Sequence, residues 1–176
     1  MTVENTYEGI FLVEYANSNP NGDFNASGAP AIDPVDGRCR VSGESLRRKM
    51  RDYVMAKYGG EPPHDILIRS AGSMDREDGG KITIDDGLQK ARAAAGMGVS
   101  PDYETELKTR KKAKTPKEKL SADKSLALRE AALAMFWDVR TFGFVGGVGN
   151  APIDGTKGAV TIDDGGSLHP VIDIYQ

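Results

Sequence analysis

The chain has a single cysteine, Cys39, in 176 residues. That excludes an intrachain disulfide and fits a reducing, cytoplasmic setting. Cys39 has no His or Cys neighbour at metal-ligand spacing, so a buried small residue is expected there, and no metal or other cofactor is expected. Histidine is almost as scarce, with only His64 and His169. Neither lies in a catalytic motif, and structural roles are expected for both. No G-x-S-x-G nucleophile elbow is present. Gly146-Gly147-Val148-Gly149 is glycine-rich but no G-K-S/T follows, which excludes a P-loop and leaves turns. No apolar run approaches the roughly 18 residues of a membrane span. Met1 to Asn5 lacks a basic n-region, so no secretory leader is expected, and the sequon Asn25-Ala26-Ser27 carries no weight without that route. A positive charge excess is missing too: 23 Lys and Arg face 26 Asp and Glu, a net charge of −3. This is not the global signature of a nucleic-acid binder, although a local patch acts on the surface it faces.

What is present suits one soluble domain of mixed structure, with 39% hydrophobic and 28% charged residues. The 21 glycines point to turns rather than long regular elements. Tyr7 to Ala16 reads as a strand, apolar on both faces in its middle, as a central strand would be. It runs into the irregular loop Asn17 to Asp23. Asn19, Asn21 and Asp23 alternate like the start of a calcium loop, but Phe24 holds the glycine position and no Glu closes it, so metal binding is not expected. Downstream, Asp65 to Arg69 reads as a short strand. Lys81 to Asp85 reads either as a strand or as the lead into a helix, and Gly87 to Ala95 is helical by propensity. Lys108 to Lys119 is strongly basic with no interleaved aromatic. It is expected to lie in a mobile, finger-like insertion around 96–123, either as a solvated basic run or as a segment that tracks phosphates without stacking on bases. Lys124 to Trp137 is a helix with an apolar stripe. Asp138 to Val145 then turns extended, and Ala159 to Ile162 and Val171 to Tyr175 read as strands.

The most informative stretch is Ile32 to Tyr58. The turn Asp33-Pro34-Val35-Asp36-Gly37 feeds a short basic strand, Arg38 to Val41. Ser42 then caps a helix running to about Tyr58, before the stop Gly59-Gly60. Leu46, Met50, Tyr53, Val54 and Lys57 fall on one face of a 3.6-residue period. Arg47, Arg48 and Arg51 flank that face. Ser42 can accept from the first amides and Gly43 permits close approach. Free amides, hydroxyls and arginines at a helix start form a ready anion site, with phosphate the obvious anion. The alternative is a core helix with a solvated basic edge.

The tract Asn17-Ser18-Asn19-Pro20-Asn21-Gly22-Asp23, followed by Ile32-Asp33-Pro34, Gly37-Arg38 and Val41 to Arg51, resembles the RAMP-type backbone subunits of CRISPR Cascade complexes, type I-C and I-B members most closely. Phe136-Trp137-Asp138-Val139-Arg140-Thr141-Phe142-Gly143 is similar to the same family's F-D-V-R-x-F-G tract. A weaker match joins Gly158-Ala159-Val160 with Ser167 to Val171. The resemblance implies an α+β fold: an RRM-like (ferredoxin-like) palm with inserted finger segments, spanning 1–176. Family members usually run on through a thumb hairpin and closing βαβ strands, so it implies either a fragment with its palm incomplete at the C-terminus, a compact relative, or a palm completed by a separate chain. It further implies a CRISPR RNA-binding subunit that stacks with copies of itself in a helix along the guide, beside the large subunit and the subunit capping the RNA 5′ end. Such a stack presents the guide to target DNA and does not cut.

The residues expected to bind RNA are Ser42, Ser45, Arg47, Arg48 and Arg51 as a phosphate cradle. Asn19, Asn21, Arg38 and Arg40 rim it. Arg140 is expected either in a salt bridge to Asp138 or Asp154, or in contact with RNA or a neighbouring subunit. Two rival readings remain. Type III relatives cleave target RNA with a loop aspartate, and Asp33 stands at a plausible place, although Asp-Pro is also a turn dipeptide. A structural interaction domain without RNA is the other.

Overall fold

A computed structural model describes residues 4–23, 27–69, 82–100, 103–104, 120–145 and 155–171. Among these the elements are β1 (Arg40–Val41), α1 (Gly43–Tyr58), α2 (Ile84–Ala94), α3 (Ala122–Met135), α4 (Trp137–Phe142), β2 (Gly143–Phe144), β3 (Thr156–Lys157) and β4 (Gly165–Gly166). The fold is α+β: helices with two small antiparallel sheets. The basic tract Lys108 to Lys119, the finger-like insertion's interior, the glycine run at Gly146 and the expected last strand beyond Val171 lie outside the described residues. Among those residues, no helix is long and apolar enough to cross a membrane.

Contacts divide the chain into two units, Met1–Gly43 with Asp164–Gln176, and Glu44–Asp163. In the first, Ile32 bridges Cys39 across the turn at 33–37, and Arg40 and Val41 of β1 pair with Gly166 and Gly165 of β4. The Arg40 amide donates back to the Ala31 carbonyl at 2.7 Å. Cys39 and Ser167 exchange two bonds, the Cys39 amide to Ser167 Oγ at 3.1 Å and the Ser167 amide to the Cys39 carbonyl at 2.9 Å. Cys39 is buried, as its isolation in the sequence suggests.

The expected strand Tyr7 to Ala16 has no ladder or bridge among the described residues. Its apolar side chains face outward, Ile10 being 91% exposed. Alternation and β-propensity describe a segment able to pair; pairing itself needs a partner strand.

In the second unit the core is Leu67, Leu88, Ala91, Leu128, Ala132, Phe136, Val139 and Phe144. Leu88 and Ala91 of α2 meet Leu128 and Ala132 of α3, where alanines let the helices approach closely. Helix α2 starts on a capping box: the Thr83 side chain accepts the Asp86 amide, and the Asp86 carboxylate accepts the Thr83 amide. This decides Lys81 to Asp85 as the lead into a helix, with Lys81 itself outside the described residues.

Three expectations change. Residues 65–69 are not a strand; Asp65 makes one parallel bridge to Phe136. Residues 138–142 are helical, in α4, and only Gly143 and Phe144 are extended. The break between α3 and α4 has a clear cause. The Trp137 amide is drawn to the Asp65 carbonyl at 2.8 Å, so it does not continue the α3 ladder and Phe136 becomes extended. Residues 159–162 are not a strand; the pairing lies earlier, at Thr156–Lys157 against Gly143–Phe144. There Gly143 has φ +81, and a Cβ on it would come within 2.5 Å of the Thr156 carbonyl oxygen, so glycine is required.

Candidate nucleic-acid interface

Helix α1 forms because good helix formers dominate its sequence, chiefly Arg, Lys and Met, and it stops where Gly59 and Gly60 take φ +69 and +75. The Gly59 amide closes the last turn on the Met55 carbonyl at 2.9 Å. The inward face differs from the expected one. Val54 is buried and Leu46 and Met50 are half-buried, but Tyr53 and Lys57 are exposed. Arg47 and Arg51, expected on the flanks, turn inward instead.

Arg51 is the clearest case. Its Nε donates to Asp138 Oδ2 at 3.1 Å, with the side chains 13% and 1% exposed. Its guanidinium also lies 5.1 Å from the Phe142 ring centroid. Asp138 accepts two more bonds, from the Leu67 amide at 2.9 Å and the Ile68 amide at 3.0 Å. One buried carboxylate thus ties α1, α4 and the 65–69 segment together. Arg47 Nη1 donates to the Ile162 carbonyl at 3.0 Å. Ser45 Oγ accepts from Lys49 Nζ at 3.1 Å. Arg48 points outward, beside Asp52 at 3.8 Å.

Among the described residues Arg140 forms no ion pair with Asp138, and the other expected partner, Asp154, lies outside them. Its Nη1 donates to the carbonyls of Leu133 and Ala134 at 2.5 and 3.1 Å, and its Nη2 to that of Pro63. The carbonyls at the end of α3 lack partners within the helix, and a guanidinium fork satisfies several at once. Burial pulls the Arg140 guanidinium below its usual range, partly offset by the Asp138 charge, and it stays protonated.

The first unit carries the other expected residues. The Gly43 amide, at the first residue of α1, donates to Asp164 Oδ1 at 2.8 Å. The chain's own carboxylate therefore occupies the anion position expected at this helix start. Ser42 Oγ donates to Asn21 Oδ1 at 3.2 Å. Asn19 donates through Nδ2 to the Gly28 carbonyl at 2.8 Å and accepts the Asn21 amide at 3.1 Å. These two asparagines shape the loop.

Arg38 and Arg40 line the turn. Arg40 Nη2 reaches Asp33 Oδ2 at 2.8 Å and Asp36 Oδ2 at 3.4 Å, and Arg38 lies 4.0 Å from Asp36. Asp33 Oδ1 accepts the Val35 amide at 2.9 Å, and Asp36 Oδ1 accepts the Arg38 amide at 2.9 Å. The Val35 N–H, and then the Arg40 guanidinium, hold the Asp33 carboxyl below its ordinary range. Asp33 is thus a turn residue with both oxygens engaged.

Two groups have roles that the sequence reading did not give them. Asp138 and Asp65 are buried acids; Asp65 pairs with Arg69 and stands 3.6 Å from Lys90. The second is the exposed row of Tyr53, Lys57 and Tyr58 on α1; Lys49, Tyr53 and Lys57 recur at four-residue spacing, which is the signal for it.

A comparison with curated proteins finds no match. A family model described as CRISPR-associated protein Cas7 matches residues 5–176, a span that holds the Asn17–Asp23 loop, the Ile32–Arg51 tract and the Phe136–Gly143 tract in order. With nearly its whole length matched, the chain belongs to the family of CRISPR-associated protein Cas7, the backbone subunits of CRISPR effector complexes.

Proposed function

We propose that this chain is a non-catalytic CRISPR RNA-binding backbone subunit of a Cascade-type complex, of the type I-C or I-B kind. Copies would stack through one repeated heterologous interface along the guide, giving an open helix. Target DNA, the large subunit and the subunit capping the RNA 5′ end are the further partners, and the cytoplasm is the setting. An RRM-like palm belongs to the same proposal. The outward apolar side chains of Tyr7 to Ala16 support a strand role for that segment once a partner strand is present.

The observation that carries the reading is a division among the arginines. The side chains of Arg38, Arg40 and Arg48 remain 50, 55 and 65% exposed, against 13% for Arg51. Asp36 and Asp52 are also exposed and Asp33 is half-buried; pairs with such exposed guanidiniums are weak, so phosphate can displace them. Helix α1 exposes Arg48, Lys49 and Lys57 against Glu44 and Asp52, a basic excess in a chain of net charge −3. We assign Arg38, Arg40 and Arg48 the phosphate contacts. Arg47, Arg51 and Arg140 hold the fold of the second unit. Contacts to the sugar-phosphate backbone make binding insensitive to guide sequence.

The engaged oxygens of Asp33 favour guiding over cutting. An assembled complex given matched target RNA tests this: no cleavage is expected, and cleavage lost in Asp33→Ala would reverse the assignment. Binding is tested by salt titration with CRISPR RNAs of unrelated guide sequence. Equal affinities with a steep salt dependence support the proposal, and no affinity even at low salt would leave a structural interaction domain.

A further inference from the structure

The outward face of α1 carries aromatic rings and cations in alternation. Tyr53 is 63% exposed and Tyr58 42%. Lys57 Nζ lies 5.6 Å from the Tyr53 ring centroid and 5.3 Å from that of Tyr58. Tyr58 in turn stacks on His64, centroids 4.1 Å apart and planes 19° from parallel. Lys49 stands one turn before Tyr53 on the same side. The Tyr53 hydroxyl, and then the Tyr58 ring's hydroxyl, hold the Lys57 ammonium above its usual range, so it is charged at neutral pH.

The geometry points to Tyr53, with Lys57 and Lys49 beside it, as a stacking site for an unpaired nucleobase of single-stranded RNA. A base offers a flat π-face to an exposed tyrosine, and its flanking phosphates suit lysines whose backbone positions lie one helical turn to either side. Tyr58, braced from behind by His64, fixes the Lys57 ammonium over both rings. Neither ring supplies the buried core of this unit, which lies elsewhere. On the exposed side of α1 the basic side chains Arg48, Lys49 and Lys57 outnumber the acidic Glu44 and Asp52, which favours a polyanion. This inference rests on the RNA-binding reading above and adds a contact that is not electrostatic.

The test compares wild type, Tyr53→Ala, Tyr53→Phe and Arg48→Ala by fluorescence anisotropy, using single-stranded and double-stranded RNA of equal length at several salt concentrations. Tyr53→Ala should weaken single-strand binding about fivefold or more with an unchanged salt slope. Tyr53→Phe should restore it, and double-strand binding should not change. Urea midpoints of the variants should match wild type, as befits an exposed residue. If Tyr53→Ala binds single strands like wild type while Arg48→Ala lowers the slope, the stacking site is wrong and the RNA reading survives. If wild type binds no RNA, both fall. If Tyr53→Ala alters self-association without RNA and leaves RNA binding intact, the face is a protein contact and the inference is overturned.

Discussion

Arg51 and Asp138, 87 positions apart, meet as a buried ion pair with Nε 3.1 Å from Oδ2. The pair lies within a closed set of bonds, because the same carboxylate holds the Leu67 and Ile68 amides. Its consequence for function is indirect. An arginine that looks available for phosphate from its place on a basic helix is committed to holding α1 against α4 and the 65–69 segment.

Removing one partner of a buried pair strands the other charge. Arg51→Ala should therefore destabilise the protein by about 3 kcal/mol, and Asp138→Ala by as much or more because two amides also lose their acceptor. Urea unfolding followed by circular dichroism measures both. A loss below about 1 kcal/mol for either would show that the pair is solvated rather than buried.

The arginines of α1 should separate by assay. Arg48→Ala should lower the slope of log affinity against log salt by about one unit and leave the urea midpoint unchanged. Arg47→Ala should lower the midpoint, since the Ile162 carbonyl loses its donor. Equal effects of the two variants in both assays would contradict the division between exposed and committed arginines.

Arg140→Lys keeps the charge and loses the fork. A lysine ammonium cannot serve the Leu133, Ala134 and Pro63 carbonyls with the same geometry, so a loss of about 1–2 kcal/mol is expected. Wild-type stability in Arg140→Lys would mean that charge alone suffices at the end of α3.

Much of the helical structure was legible, and the reasons are local. Helix α1 is bounded by Ser42 and the Gly59-Gly60 pair, and α3 is an alanine- and leucine-rich run. The break at Phe136 was not legible, because it depends on the Trp137 amide bonding a carbonyl far away in sequence, that of Asp65. The burial of Arg51 has the same origin: periodicity placed it on a flank, and a distant carboxylate drew it in. Asp164 at the start of α1 belongs with these. Its Asp-Asp-Gly setting reads as a turn, and nothing near it in sequence shows that it holds the Gly43 amide. Cys39 and the Asp33 turn needed no distant partner to be read correctly.

The Asp33 turn gives a pH prediction. Its folded carboxyl titrates below the unfolded value of about 3.9, so its contribution is present above that value and lost as pH falls through the folded pKa. Arg40→Ala should raise the Asp33 midpoint, read by NMR titration of the carboxyl carbon, with part of the shift remaining because the Val35 N–H is untouched. An Asp33 midpoint that does not move in Arg40→Ala would show that the pairing at 2.8 Å is absent in solution.

The central claim is that this chain forms the backbone of a particle on guide RNA. Size-exclusion chromatography with light scattering, with and without CRISPR RNA at low and high salt, tests it most directly. The account predicts a monomer or small species alone, a long particle whose mass grows with RNA length at low salt, and its loss at high salt. A species of unchanged mass at every RNA length and salt concentration would contradict it.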